Sequence, residues 1–256
     1  MIRGLYTAAS GLLAQLVQND LAANNLANVN TAGYKKDLPT FRTFPEVLIE
    51  RLNDPDAGTS FNSAAQPPII GQLGTGVALE RVYTVHQPGS LRENDNPLDL
   101  AIDGDGYFVI QTPQGERYTR NGAFHLDSSH QLVTLDGYPV LGEMGPVVMQ
   151  GENFAINEDG QVVVDGTIVD NLRLVMPADP TLMEKQGDNL FAVRQNQNLQ
   201  GATARIRPGF LEMSNVNPVE EMVNLITVMR AYEANQKVIQ AHDNLLDKAV
   251  NEVGRV

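Results

Sequence analysis

The chain of 256 residues has no cysteine and no tryptophan, and its 31 acidic residues outnumber its 18 basic ones. The absence of cysteine removes disulfides, zinc–thiolate sites and thiol catalysis together. No stretch approaches the roughly 18 consecutive apolar residues that cross a bilayer, so direct membrane insertion is not expected. The opening MIRGLYTAASGLLAQL sets only Arg3 ahead of a helical pattern interrupted by polar residues, which is not the order of a cleaved leader. If the protein leaves the cytoplasm, the expected route reads no such leader.

The charge is unevenly placed. Residues 1–36 carry a net +2 and residues 213–256 a net −2, so the whole −13 lies between Asp37 and Glu212. A middle of that sign argues against nucleic acid or an anionic membrane surface as a partner, and suits a solvated outer domain carried on nearly neutral ends. With 42% hydrophobic residues, one or two cored domains can form at this length.

The two ends share a pattern that the middle lacks. Ile2, Leu5, Ala9, Leu12, Leu16, Asn19, Ala23 and Leu26 follow an alternating three-four spacing, as do Met222, Leu225, Met229, Tyr232, Gln236, Ile239, Asp243, Leu246, Val250 and Val253. Each reads as a heptad seam with isolated polar members that fix register; packing of both stripes into a globular core is the other reading that the periodicity allows, and the terminal position of both segments favours the seam. Asn217 is suited to cap the second helix, Pro218 to its first position and Glu220 to a capping box. The predicted C-terminal helix runs from about Pro218 to about Asn251, near 50 Å at ~1.5 Å per residue. The fold class expected is therefore α+β: long N- and C-terminal helices forming a coiled coil, with a central, mainly antiparallel all-β domain. The divisions expected are an N-terminal coiled-coil helix (1–32), an extended connector (33–76), the β domain (77–212) and a C-terminal coiled-coil helix (213–256).

The connector is read from Pro39, Pro45, Pro55, Pro67 and Pro68 mixed with Gly58, Gly71, Gly74 and Gly76, with only Glu46–Leu52 looking briefly helical; a loop-rich part of the central domain is the other reading. Beyond it, strands are predicted at Leu79–Val85, Leu98–Ile102, Tyr107–Gln111, Gly122–Leu126, Val147–Met149, Gln161–Val164, Ile168–Val175 and Leu190–Val193. Turn pairs such as Asn121-Gly122, Asp136-Gly137, Asp159-Gly160 and Asp165-Gly166 punctuate them. Short strands without helices suggest a small barrel or rolled sheet.

Little in this domain suggests chemistry. Asp99, Asp103 and Asp105 with Gly104 and Gly106 resemble a calcium loop, but that register puts Ala101 at the first ligand and Thr112 where the bidentate glutamate belongs, so a hairpin turn is the better reading. His86, His125, His130 and His242 are scattered without metal-site spacing. Gly71–Gly76 lacks the helix that a phosphate loop requires, and no paired acid and base stand out. No catalytic residue, cofactor or metal is expected. A secreted cell-wall enzyme and an adhesin-like module are the rival classes; the first needs an acid–base pair in a cleft, and the second has no need of two terminal heptad segments.

The chain resembles the axial proteins of the bacterial flagellum, the hook–basal-body rod family. Ala23–Thr31 (ANNLANVNT) followed by Gly33-Tyr34-Lys35 matches the family's start. Ile102–Phe108 (IDGDGYF), Tyr118–Phe124 (YTRNGAF) and Gln131–Thr134 with Gly137 match its central strands. Ser214–Asn217 (SNVN), Arg230-Ala231-Tyr232 and Asn235 match its end. Gly74–Val77 is similar to distal rod proteins and Tyr138–Pro146 to proximal ones. The resemblance implies a structural rod subunit, not an enzyme, in the flagellar basal body outside the cytoplasmic membrane. The partners implied are copies of itself in a helical polymer, other flagellar rod or hook proteins, and the flagellar type III export apparatus. The assembly interface expected comprises Leu5, Leu12, Leu16, Asn24, Asn25, Asn28, Asn30, Met222, Leu225, Met229, Tyr232, Asn235, Ile239 and Leu246. The asparagine cluster is expected to bond the backbones of neighbouring subunits, with helix termination as the other reading.

Overall fold

The computed structural model describes residues 2–44, 46–50, 69–151, 153–187, 189–193, 199–202 and 204–253. One helix stands near each end, α1 (Ile2–Ala27) and α2 (Pro218–Lys248), the latter closing in a π turn over Ala249–Val253. Asn217 caps α2 by accepting from the Val219 amide at 3.1 Å, and Pro218 occupies the first helical position, where its missing N–H has no partner to lose. The remaining elements are strands. In chain order they are β1 (Asp37–Thr43), β2 (Val47–Glu50), β3 (Ile69–Leu73), β4 (Val77–Thr84), β5 (Leu91–Glu93), β6 (Leu100–Asp103), β7 (Tyr107–Thr112), β8 (Gly115–Thr119), β9 (Phe124–Leu126) and β10 (Leu132–Thr134). There follow β11 (Phe154–Ile156), β12 (Gln161–Val164), β13 (Thr167–Asn171), β14 (Leu174–Pro177), β15 (Met183–Lys185), β16 (Leu190–Val193), β17 (Leu199–Gly201), β18 (Arg205–Pro208) and β19 (Phe210–Glu212).

The chain divides into two compact units. One comprises Met1–Ala22, Pro39–Val82 and Met222–Val256; the other comprises Ala23–Leu38 and Tyr83–Glu221. The second holds a six-stranded antiparallel sheet in the order β15-β16-β8-β7-β14-β17, a three-stranded sheet β11-β12-β13, and the pairs β9–β10, β6–β18 and β5–β19. Its order is open, so among the described residues no barrel closes. The central strand β7 reads Tyr-Phe-Val-Ile without alternation because both its faces are covered. Phe108 and Ile110 pack with Leu100, Val162 and Ile206 on one side, whereas Tyr107 and Val109 pack with Tyr118, Val175 and Phe191 on the other. Asp165 and Gly166, at φ 50° and 82°, make the tight turn between β12 and β13 that their pairing predicts. Asp103–Gly106 differs from the hairpin expected there, since β6 pairs with β18 and β7 with β8 and β14, so this turn carries the chain from one sheet to another.

The expected fold class needs correction: the chain is mostly β, with one helix at each end and no long coiled-coil pair. Burial along the helices gives the physical reason. On α2 the less exposed positions include Glu221, Leu225, Val228, Tyr232, Asn235, Ile239, His242 and Leu246, with Asn224 and Ala231 beside them, so Leu225, Tyr232, Ile239 and Leu246 keep the expected phase. The other half of the seam is displaced by one residue, leaving Met222, Met229, Gln236 and Asp243 exposed. On α1 the less exposed line includes Gly4, Ala8, Gly11, Ala22 and Asn25, while Leu16 and Ala23 of the expected seam are exposed. Small residues cannot act as knobs, but they permit close approach: a Cβ added at Gly4 would lie 2.7 Å from His242 Nε2, and one at Gly11 would lie 3.1 Å from Asn235 Nδ2.

The expected helical turn at Glu46–Leu52 is also corrected. Val47–Glu50 is strand β2, paired with β3, while Arg51 and Leu52 lie outside the described residues. Its run Val-Leu-Ile suits the half-covered pleat of a two-stranded ribbon. Of the expected connector, Asp37–Thr43 forms β1, whereas Pro45, Pro55, Gly58, Pro67 and Pro68 also lie outside the described residues.

Candidate assembly site

In the second unit, the turn after α1 is the meeting point of residues far apart in sequence. The helix ends at Ala27 and the chain doubles back through Asn28–Gly33, with Gly33 at φ 68°. A Cβ there would meet the Asn121 amide nitrogen at 2.3 Å and the Arg120 carbonyl carbon at 2.5 Å. Only glycine satisfies both the left-handed backbone and that approach. We expect Gly33→Ala to destabilise the protein by about 3 kcal/mol, measured by denaturant unfolding. A change of under 1 kcal/mol would count against this packing.

Around that turn several side chains are hydrogen-bonded. The Asn25 amide, 1% exposed, donates to the Asp37 carbonyl at 2.9 Å, and its oxygen accepts from the Asp37 N–H at 3.0 Å. The Tyr34 hydroxyl reaches the amide oxygens of Asn24 and Asn25 at 2.9 and 3.0 Å. Asn28 bonds back to the Asn24 carbonyl, and Thr31 to Asn28. Three amides of the cluster, those of Asn24, Asn25 and Asn28, thus tie down the turn from within the chain. Asn24 and Asn30 remain exposed and Asn28 half-buried.

A buried ionic cluster lies alongside. Glu212 accepts from Lys35, from the Arg120 guanidinium at 3.1 Å and from the Gly89 amide at 2.9 Å. Lys35 and Glu212 are each 1% exposed and Arg120 is 4%. Lys35 also donates to the Gln87 carbonyl, and Arg120 to those of Ile102 and Gly104. Burial pulls the Lys35 ammonium below the ordinary lysine range, against the opposing pull of Glu212. Lys185 donates to Asp37 and to the Lys35 carbonyl, both at 2.8 Å, and stands 3.9 Å from the Tyr34 ring centre. Lys36 pairs with Glu221, and Asn215 accepts from the Lys36 N–H at 2.8 Å while donating to Val85 and Gln87. Burial, and then Asp37, push the Tyr34 phenol up.

His86 borders this cluster, with Nδ1 2.7 Å from the Tyr107 hydroxyl and its ring against Phe191. Burial first, and the Lys35 charge second, push it down to about 4, and Tyr107 is pushed up to about 12, chiefly by burial. A histidine depressed in the folded state stays neutral where the unfolded chain takes a proton. Its contribution is therefore complete above pH 6.5 and is lost as pH falls from there to about 4. Discounted for partial exposure, we expect about 1–2 kcal/mol more loss in the wild type than in His86→Gln between pH 7 and 4.5. Stability curves for the two proteins that run parallel over that window would contradict it.

The other expected interface residues divide by exposure. Leu5, Leu12, Leu225, Tyr232, Asn235, Ile239 and Leu246 are half-buried, whereas Leu16, Met222 and Met229 are 45, 46 and 49% exposed. Sequence reasoning missed Lys35, Arg120, Lys185 and Glu212 as a unit. The available signal was a pair of adjacent lysines following a helix stop.

The buried Glu212 carboxylate is thus saturated by two cations and an amide. Among the described residues no group of three or more acidic or histidine side chains is placed to hold a metal, and no helix is long and apolar enough to cross a membrane. The three arms of the cluster do coincide with three family profiles. "Flagella basal body rod protein" covers residues 5–35, "Flagellar hook protein FlgE/F/G D1 domain" covers 101–164, and "Flagellar basal body rod FlgEFG protein C-terminal" covers 207–252. Along its whole length the chain is 32% identical to the flagellar hook-basal body complex protein FlhO of Bacillus subtilis, with all of both chains covered. The chain belongs to the flagellar basal-body rod protein family. It is 36% identical to the basal-body rod protein FlgG of B. subtilis, over 98% of this chain and 99% of that one. It is 37% identical to FlgG of Caulobacter vibrioides, over 96% and 97% respectively. The family is one of structural rod proteins, and residues that build the cluster fall within all three matched ranges: Asn25, Tyr34 and Lys35 in the first, Arg120 in the second, Glu212, Asn215 and Glu221 in the third.

Proposed function

We propose that this structural rod subunit polymerises with copies of itself into the axial tube that transmits torque from motor to hook, joined end-on to other rod or hook proteins. It reaches that place through the flagellar export apparatus, outside the cytoplasmic membrane. The observation that carries self-assembly is the uncovered face of α2, where Met222, Val223, Ile226 and Met229 are 46, 58, 55 and 49% exposed. Apolar residues at that spacing form a continuous stripe on one side of a helix, and water-facing stripes of this kind mark association surfaces. Export as an unfolded chain is supported by the absence of cysteine, which leaves no bond to trap a folded form.

Fractionation tests the proposal. Basal bodies purified from cells producing a tagged chain are expected to contain it in amounts comparable to a known rod subunit. Recovery in the cytosol or with the cell wall, and not with basal bodies, would overturn it.

A further inference from the structure

In the first unit a groove of about 460 Å³ runs between the outer side of α1 and the segment bearing Phe44 and Thr75. Its walls are apolar: Tyr6 is 68% exposed, Leu13 66% and Phe44 40%. Ala9 and Ser10 form a low floor between Tyr6 and Leu13, and Ser10 is held there by accepting from the Val77 amide at 3.3 Å. At 100° per residue, Tyr6 and Leu13 lie opposite Gly4 and Gly11, the positions that approach α2. The stripe Met222, Ile226, Met229 and Glu233 is likewise roughly opposite Asn235 and His242, where α2 approaches α1. Each helix thus keeps one face for its intrachain neighbour; the opposite face is exposed on α2 and only partly covered on α1, where Ser10 is buried against Val77 while Tyr6 and Leu13 stay exposed.

We infer that the α1 groove of one copy receives the Met222–Glu233 face of α2 from the next. This rests on the reading of the chain as a self-assembling rod subunit, and names the partner of its exposed stripe. The dimensions agree: Arg3 to Leu13 spans about 15 Å of helix and Met222 to Glu233 about 16 Å. Charge fixes the direction. Arg3 at one end of the groove and Glu233 at one end of the stripe are both exposed, and neither has an ion-pair partner among the described residues. Placing Glu233 at Arg3 sets Met229 by Tyr6, Ile226 over Ala9 and Ser10, and Met222 by Leu13. The branched side chain then falls on the small floor residues and the two methionines fall by the walls. This alignment runs α2 antiparallel to the neighbouring α1. Within one chain the contacts of Gly4 with His242 and of Gly11 with Asn235 also run antiparallel. The next copy therefore docks without being turned over, as a head-to-tail, non-closing contact requires.

The native chain has no cysteine, so crosslinking gives a clean test. Basal bodies carrying Leu13→Cys with Met222→Cys, and separately Tyr6→Cys with Met229→Cys, are oxidised and run under denaturing conditions. We expect a ladder of covalent multimers from each double variant and monomer from each single variant. Dimers from a single variant would show like faces meeting and would overturn the inference. Monomer alone from both double variants, with the chain present in basal bodies, overturns the groove and leaves the rod reading standing. Absence of the wild-type chain from basal bodies overturns both.

Discussion

Glu212→Gln is expected to lower the stability of the protein by about 3–5 kcal/mol, a large share of the 5–15 kcal/mol of a typical domain. The substitution is nearly isosteric, so the loss comes from charge: Lys35 and Arg120, 1% and 4% exposed, would remain as two buried cations without an anion. Lys35→Met should cost less, because Glu212 keeps the Arg120 guanidinium at 3.1 Å and the Gly89 amide. Thermal unfolding of the three proteins decides the matter, with a fall of roughly 10 °C expected for Glu212→Gln. A melting curve within 2 °C of the wild type, or a larger loss from Lys35→Met, would show that the cluster is not organised around this carboxylate.

The second large effect falls on assembly and spares folding. Met229 and Ile226 are 49 and 55% exposed in the single chain, so Met229→Asp or Ile226→Asp should shift monomer stability by no more than ~0.5 kcal/mol. In the polymer the same carboxylate would be buried without a partner, at a cost of several kcal/mol per contact. Rods should fail to form and cells should not swim, while the purified variant unfolds like the wild type. Normal motility in either variant would remove the stripe from the interface.

Much of this organisation was legible in the sequence because it rests on short-range physics. The β12–β13 turn follows from Asp165-Gly166, the start of α2 from Asn217-Pro218, and β7 from its apolar run. The helix phases were only half legible. A three-four spacing locates an apolar stripe but does not say which side of it a neighbour covers, and Gly4, Ala8 and Gly11 carry no hydrophobic signal although they mark the closest approach. The ionic cluster could not be read by periodicity. Lys35 and Glu212 are 177 positions apart, and a buried lysine is indistinguishable in sequence from an exposed one. The asparagine cluster shows the same limit: its density indicated unusual hydrogen bonding, but Asn25 spends its amide on Asp37 of its own chain.

The central claim is that this chain is a building block of the rod. Met144, 87% exposed on the β-rich unit and far in sequence from either helix, is a suitable point for an electron-dense label that leaves the helices untouched. Electron microscopy of basal bodies from cells whose only copy carries that label should show it along the rod, in several copies per structure. Label confined to the cell wall, or absent from otherwise intact basal bodies, would contradict the account.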